Sequence, residues 1–273
     1  IALDLDGTLL RSDKRISARS LAAVRRLSAR GVAVLLCTGR PPRSAKAYAA
    51  ELGLDTPFIC YNGAAVYDPA RDAVTVRHHL DPETALAAID RLRATFPSVM
   101  LALESASGWY LEAAAVQRGR GEARLGPEAP TGVGPVERFV AADAIKLMAF
   151  VDGHNAAELA RAVGDLPLQR TWSAGGLLEL LDPRVDKRNA LADVCAERGV
   201  ARTAVAAFGD QRNDVEMLAW AGLGVAVANA CDEAKAAADV VVDSNDADGV
   251  AGLLERWLGA PEGDRTHQAP TRG

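Results

Sequence analysis

Lysine is scarce in this 273-residue chain: only Lys14, Lys46, Lys146, Lys187 and Lys235 carry it, against many arginines. An Arg- and Ala-rich bias of this kind reflects a GC-rich genome, so each surviving lysine is a candidate for a specific task. Positive charge is in deficit overall. The net charge of −5 and the pI near 5.5 leave no electrostatic case for nucleic acid or an anionic membrane surface as a partner. Cysteine is sparse and scattered, at Cys37, Cys60, Cys195 and Cys231, with no CxxC pair. That excludes a zinc ribbon or a disulfide scaffold and suits a reduced, cytoplasmic setting, with Cys37 and Cys60 as small hydrophobes in apolar runs. His78, His79, His154 and His267 show no metal-ligand spacing such as HExxH. No apolar run approaches the ~18 residues needed to span a bilayer. No signal peptide is visible, and the first strand starts at Ile1 without a methionine, as if clipped.

What the chain does have is an ordinary globular composition, 49% hydrophobic and 25% charged, with enough length for one large domain or two moderate ones. Its first segment alternates buried strands and helices. "IALDL", "VAVLLCT" and "PFICYNG" read as strands; "SARSLAAVRRLSARG", capped by Ser17 and stopped by Gly31, and "PRSAKAYAAELGL" read as helices. Apolar strands separated by helices imply a parallel sheet covered on both faces. The pattern then changes. "AAVYD" and "AVTVRHHL" read as a hairpin, "DPETALAAIDRLRATF" and "NAAELARAVGDL" as helices, and "VMLALES", "GWYLEA", "AIKLMAFV" and "LLELLD" as strands, with a Gly/Pro-rich loop between. From about Val185 the first pattern resumes with "DKRNALADVCAERG", "AVAAFGD", "NDVEMLAWAG", "GVAV", "DVVV" and "DGVAGLLERWL". The expected fold is α/β: a doubly wound parallel-sheet core, residues 1–79 and 185–258, interrupted by an α+β insert over residues 80–184. Residues 259–273 lack periodicity and are expected to be disordered.

"IALDLDGTLL" raises a chemical question, because a strand entering a core carries Asp4 and Asp6 at its exit. Residues i and i+2 of a strand face the same side, so the two carboxylates converge, and ligands of open parallel sheets bind outside the carboxyl ends of the strands. Gly7 lets the chain turn away without crowding that place. A hairpin turn or a calcium loop is the plain alternative. A helical pattern rather than a partner strand follows, and the later acidic residues of an EF-hand are absent. Asp210, in "FGDQRND", ends a second buried strand and can reach the same edge. Asn213 and Asp214 also read as a cap for the helix that follows. Elsewhere Lys146 reads as a strand-edge lysine, and Trp109, Tyr110 and Trp172 as packing residues. "GLGVAV" places Val227 where a dinucleotide fingerprint needs its third glycine, and no helix is expected after it.

"DLDGT", then "TGR", a distant lysine and "GDQRND" in this order resemble the haloacid dehalogenase-like hydrolase superfamily. The similarity is to its Cof-type branch of phosphatases with an inserted α/β cap. "AVLLCTGR", "YNGA", "AGLGVAVANA" and "DGVAGLLE" extend the likeness over nearly the whole chain. The resemblance implies that Asp4 is the nucleophile and forms an aspartyl-phosphate, that Asp6 is the acid/base, and that Lys187 balances charge between Asp4 and the phosphate. It implies Mg²⁺ as cofactor, held by Asp4, the Leu5 carbonyl and Asp210, with Asp6 behind them and Asp214 in support. Thr38, Gly39 and Arg40, and Asn62 with Asn213, are the implied phosphate- and substrate-binding residues. Asn62-Gly63 and Thr38 read otherwise as a turn and a turn cap, and Arg40 as the partner of an acidic neighbour. Arg184 and Arg188 stand where the family commonly has glycine, so the loop before Lys187 is expected to differ.

The implied function is a Mg²⁺-dependent phosphatase of a small phosphorylated metabolite, either a sugar phosphate or a cofactor phosphate such as pyridoxal phosphate or FMN. A phosphomutase moving phosphate within a sugar, or a non-catalytic phosphate-binding protein, is the alternative. The substrate and the oligomeric state are not legible in the sequence.

Overall fold

In the computed structural model, residues 1–113, 129–173 and 176–259 are described. Much of the Gly/Pro-rich loop and all of the tail beyond Gly259 lie outside them. The chain forms two compact units: Ile1–Thr75 together with the chain from Asp186 onward, and Val76–Val185.

The first unit begins with β1 (Ala2–Leu3), α1 (Ala18–Ser28), β2 (Leu35–Leu36), α2 (Pro42–Leu52), β3 (Phe58–Cys60) and β4 (Ala65–Asp68), and all but the last residue of β5 (Ala73–Val76) belongs to it. The second unit holds α3 (Pro82–Thr95), β6 (Met100–Ser105), β7 (Gly108–Leu111), β8 (Gly132–Val133), β9 (Ala144–Phe150), α4 (Ala156–Ala162), β10 (Gln169–Ser173) and β11 (Leu177–Leu181). The chain then returns through α5 (Lys187–Glu197), β12 (Ala206–Gly209), α6 (Val215–Trp220), β13 (Leu223–Val227), α7 (Asp232–Ala237), β14 (Val240–Val242) and α8 (Gly249–Gly259).

Five strands of the first unit form a parallel sheet in the order β14-β13-β12-β1-β2. A parallel bridge from Cys37 to Ile59 sets β3 beside β2, and β3 continues antiparallel into β4. The helices pack in two groups, α1 with α2 and α8, and α5 with α6 and α7. The strands between them carry wholly apolar, buried runs such as "AAFG" and "LGVAV", as a sheet covered on both faces requires. The fold is the expected one: α/β, with a doubly wound parallel sheet and an inserted α+β portion. Caps set the helix starts as the sequence indicates. The Ser17 hydroxyl accepts the Ser20 N–H, and the Asp81 carboxylate accepts that of Thr84. Helix α2 ends at Gly53, which takes the left-handed conformation.

The second unit is a six-stranded sheet, β10-β11-β9-β6-β7-β8, antiparallel except between β7 and β8. Alternation sorts its two faces. Leu101, Leu103, Leu147, Ala149, Leu178 and Leu180 pack with Ile89 and Leu92 of α3 and Leu159 of α4, while Met100, Ala102, Met148 and Phe150 cluster with Trp109 on the other side. Lys146 corrects the expectation of a strand-edge residue. It lies within β9, between β6 and β11, 2% exposed, and its ammonium donates to Glu179 at 2.7 Å. A buried lysine is tolerated there because a buried carboxylate faces it. Trp109 is buried and Tyr110 stacks on Phe139, whereas Trp172 is exposed.

Candidate active site

Asp4 directly follows β1 and still belongs to its ladder, since its N–H donates to the Phe208 carbonyl at 3.0 Å. The chain then folds back on itself. Leu9 N–H reaches the Asp4 carbonyl, and Leu10 and Thr8 N–H reach the Leu5 carbonyl at 2.8 and 3.3 Å. Gly7 makes the reversal possible. Its φ is +87°, and a Cβ there would lie 2.3 Å from Asp210 Oδ2, so both conformation and space require glycine. The Leu5 carbonyl, an expected cation ligand, accepts two N–H donors of this turn.

Asp210 follows β12, the strand beside β1, and arrives at the same edge. Thr8 Oγ1 donates to its Oδ1 at 2.9 Å, and Gln211 Nε2 to its Oδ2 at 3.0 Å. Asp214 closes the group. Its Oδ2 accepts the N–H groups of Asp210 and Gln211, each at 3.0 Å. The expected cap on α6 is therefore corrected: the Asp214 side chain makes no bond to that helix and instead holds the preceding loop. Lys187 opens α5, which Asp186 caps by accepting the N–H groups of Arg188 and Asn189. Its ammonium is fully buried and donates to Asp4 Oδ1 at 2.7 Å and Asp214 Oδ1 at 2.6 Å.

These charges shift one another. Burial pushes the Asp4 carboxyl well above the ordinary range, with the Asp214 and Asp210 charges adding to it and Lys187 opposing. Burial, then the Asp214 charge, lifts Asp210 to about 6 against hydrogen bonds from Gln211 and Thr8. Desolvation works against the Lys187 ammonium, but Asp214 and Asp4 outweigh it and hold the proton on. Burial raises the Cys37 thiol, so that neighbour stays neutral. Three carboxyl groups share one ammonium in a buried place, and a further cation would let all of them ionise. Asp4, Asp210 and Asp214 each offer an oxygen, all within 4.8 Å of one another, and such an all-oxygen set fits a hard divalent cation.

Asp6 does not join this cluster. Its carboxylate turns to Arg40, which donates from Nε at 2.6 Å and from Nη2 at 2.8 Å, and to Lys14 Nζ at 2.7 Å. Burial would raise its pKa, but the hydrogen bonds and charges of Arg40 and Lys14 prevail and hold it at about 2. The Arg40 guanidinium lies over the Tyr48 ring, and the Tyr48 hydroxyl donates to the Lys14 carbonyl at 3.1 Å. Thr38 is buried, and its Oγ1 accepts the Arg40 N–H at 3.2 Å. A Cβ on Gly39 would lie 2.9 Å from Asn62 Oδ1, which itself accepts from Asn213 Nδ2 at 2.9 Å. Asn62 and Asn213, 151 positions apart, thus meet as a pair. Arg188 is exposed and bonds the Asn189 side chain, and Arg184 pairs with Asp182 in the other unit. Neither stops α5 from starting at Lys187.

Sequence reasoning missed Thr8, Gln211, Lys14 and Tyr48. Thr8 stood inside "DLDGT" and Gln211 inside "GDQRND", so both were adjacent to residues already singled out. Lys14 and Tyr48 reach the site only through the fold.

The acidic groups of the site thus gather at the exits of adjacent parallel strands, β1 and β12. A family model described as haloacid dehalogenase-like hydrolase matches residues 1–254. The chain is 30% identical over 267 residues to the 5-amino-6-(5-phospho-D-ribitylamino)uracil phosphatase YitU of Bacillus subtilis, covering 94% of this chain and 97% of that protein. It is 29% identical to the pyridoxal phosphate phosphatase YbhA of Escherichia coli, covering 94% and 98% of the two chains. A solved haloacid dehalogenase-like hydrolase from Bacteroides thetaiotaomicron superposes with a TM-score of 0.78 at 26% identity, covering 94% and 98%. The chain belongs to the haloacid dehalogenase-like hydrolase family and is an enzyme of its phosphoric monoester hydrolase class.

Proposed function

We propose that the substrate is the phosphate monoester of a small metabolite and that hydrolysis runs in two steps through a phosphorylated Asp4. The observation that carries this reading is the buried Lys187 ammonium, 2.7 Å from Asp4 and 2.6 Å from Asp214 within the three-carboxylate cluster. A fixed positive charge there lets an anionic carboxylate approach an anionic phosphate.

In the first step an Asp4 oxygen attacks phosphorus, the bond to the leaving oxygen breaks, and that oxygen takes the proton of the Asp6 carboxyl. In the second, water attacks phosphorus, the Asp6 carboxylate takes its proton, and the bond to Asp4 breaks to release phosphate. Asp6 as found, ionised between Arg40 and Lys14, is in the state the second step requires. The first step requires it protonated, and a phosphate that draws Arg40 toward itself would favour that form. The Thr38 hydroxyl, the Gly39 backbone, Arg40 and the Asn62–Asn213 pair are the groups we assign to phosphate and substrate. Asp4, Asp210 and Asp214 would hold Mg²⁺, with Asp6 behind them, and the ion would supply charge neutralisation to the bound phosphate.

The relatives' substrates, a phosphoribitylaminouracil and pyridoxal phosphate, support a sugar phosphate or a cofactor phosphate such as pyridoxal phosphate or FMN. We assign its selection to the unit Val76–Val185, acting as a cap. That the curated relatives are phosphatases supports hydrolysis over transfer of phosphate within a sugar. Among the described residues no helix is long and apolar enough to cross a membrane, and the scattered cysteines support a cytoplasmic setting.

A phosphate-release screen over sugar phosphates, nucleotides and cofactor phosphates, with and without Mg²⁺, tests this. Asp4→Ala should lower p-nitrophenyl phosphate turnover by about 10³-fold or more, as loss of a nucleophile does. Full turnover by that variant would overturn the assignment, and dependence on a bisphosphate activator without net phosphate release would show a mutase.

A further inference from the structure

We infer that the turn Tyr61–Gly63 is a positioning device for Lys187 and that Gly63 is the residue through which it acts. The inference rests on the reading of Lys187 given above.

Three successive residues of this turn lie in the left-handed region: Tyr61 at φ 51°, Asn62 at 57° and Gly63 at 111°. A bulky residue such as tyrosine rarely adopts that conformation, so the surrounding structure must enforce it. The fastenings are visible. Tyr61 N–H donates to the Arg40 carbonyl at 3.1 Å, and Asn62 N–H to the Thr38 carbonyl at 3.0 Å. The turn is thereby tied to the end of the segment that follows β2. On its other side it meets the segments that carry Lys187 and one of its two partners, Asp214. Asn62 Oδ1 accepts from Asn213, the neighbour of Asp214. Gly63 lies against the backbone of Asp186, the neighbour of Lys187, so closely that a Cβ would sit 2.5 Å from the Asp186 carbonyl oxygen and 3.2 Å from Ala190 Cβ.

Consecutive residues of one strained turn therefore gauge the two segments whose side chains must meet. Lys187 has no slack. Its ammonium is buried, and its bonds of 2.7 and 2.6 Å fix it between Asp4 and Asp214. Asp186 caps α5 and directly precedes Lys187, so a displacement of its carbonyl passes to the start of the helix and to the ammonium. A Cβ at Gly63 would push first against backbone, and backbone does not rotate away. The left-handed turn brings a residue with no side chain to that contact, and the height at which Lys187 meets Asp4 follows from it.

The test uses the full-length enzyme with p-nitrophenyl phosphate and Mg²⁺. Gly63→Ala should lower kcat by about 10–100-fold, as displacement of a reacting group by about 1 Å does, with KM changed by less than about threefold. Asn62→Gly keeps the left-handed backbone and removes the bond to Asn213. It should fold and lower kcat by about three- to tenfold. In a Lys187→Arg background, Gly63→Ala should cost much less than in the wild type, because the group it positions is already altered. A crystal structure of Gly63→Ala should show Lys187 Nζ displaced from Asp4. Wild-type kcat in both folded variants, full additivity with Lys187→Arg, or an unmoved Lys187 in the variant structure would overturn the inference. If the wild type itself shows no turnover, the functional reading fails, while the variant structure still decides the positioning.

Discussion

Gly7 concentrates the demands of the site in one residue. Its φ is +87°, and a methyl group on its Cα would come within 2.3 Å of Asp210 Oδ2. Any side chain must therefore displace either the turn carrying Asp6 or the Asp210 carboxylate. Gly7→Ala is expected to lower kcat by about 100-fold and to weaken Mg²⁺ binding, read by steady-state kinetics against Mg²⁺ concentration. A second expectation concerns Asp210, whose carboxyl burial and the Asp214 charge lift to about 6. Its ordinary value in an unfolded chain is about 3.9, so the folded, metal-free protein binds the extra proton between about pH 4 and 6 and loses stability as pH rises through that window. A cation must displace this proton. Mg²⁺ affinity measured by calorimetry should therefore be about tenfold weaker at pH 5 than at pH 7.5, with protons released on binding at pH 5, and equal affinities would contradict it. At this scale the sequence was most informative where the backbone alone decides position. Asp4 and Asp210 were legible because each ends a buried strand. An acidic partner for Arg40 was legible, but not that it is Asp6, shared with Lys14, because that depends on side-chain directions that an i, i+2 rule over a strand exit does not give.

Among the elements, α5 carries the most consequence. Asp186→Ala removes the acceptor of two N–H groups at its start, and unfolding in urea should show a loss of about 1 kcal/mol, accompanied by lower kcat because Lys187 is the first helical residue. In the inserted unit, Leu92 of α3 is fully buried against the sheet, and Leu92→Ala should cost about 2–5 kcal/mol by the same measurement. Long periodic helices and apolar strands were readable, including α3, β6 and β9. The strands β8 and β10 and the short helix α7 were not. "QRTWS" is mostly polar and becomes β10 by pairing with β11 rather than by its own pattern, and α7 is six residues long and lacks a side-chain cap. Lys146 was misplaced for a related reason: which strand is central depends on pairing order, and β9 lies between β6 and β11.

For the whole molecule, the order of motifs along the chain carried the architecture, because a parallel sheet with an insertion returns to the same strand-exit edge after a long excursion. Asp4 and Asp210, about 200 positions apart, meet on adjacent strands through the parallel pairing of β1 with β12. The chemistry of the insert was not legible, since its strands specify a sheet without naming a ligand. The most direct test of the account is to trap the enzyme during turnover of p-nitrophenyl phosphate with Mg²⁺, reduce it with borohydride and sequence its peptides by mass spectrometry. An aspartyl-phosphate reduces to homoserine, so homoserine at position 4 of the wild type, and none in an enzyme incubated without substrate, is the outcome the account predicts. Unmodified Asp4 throughout turnover, or homoserine at another aspartate, would contradict it.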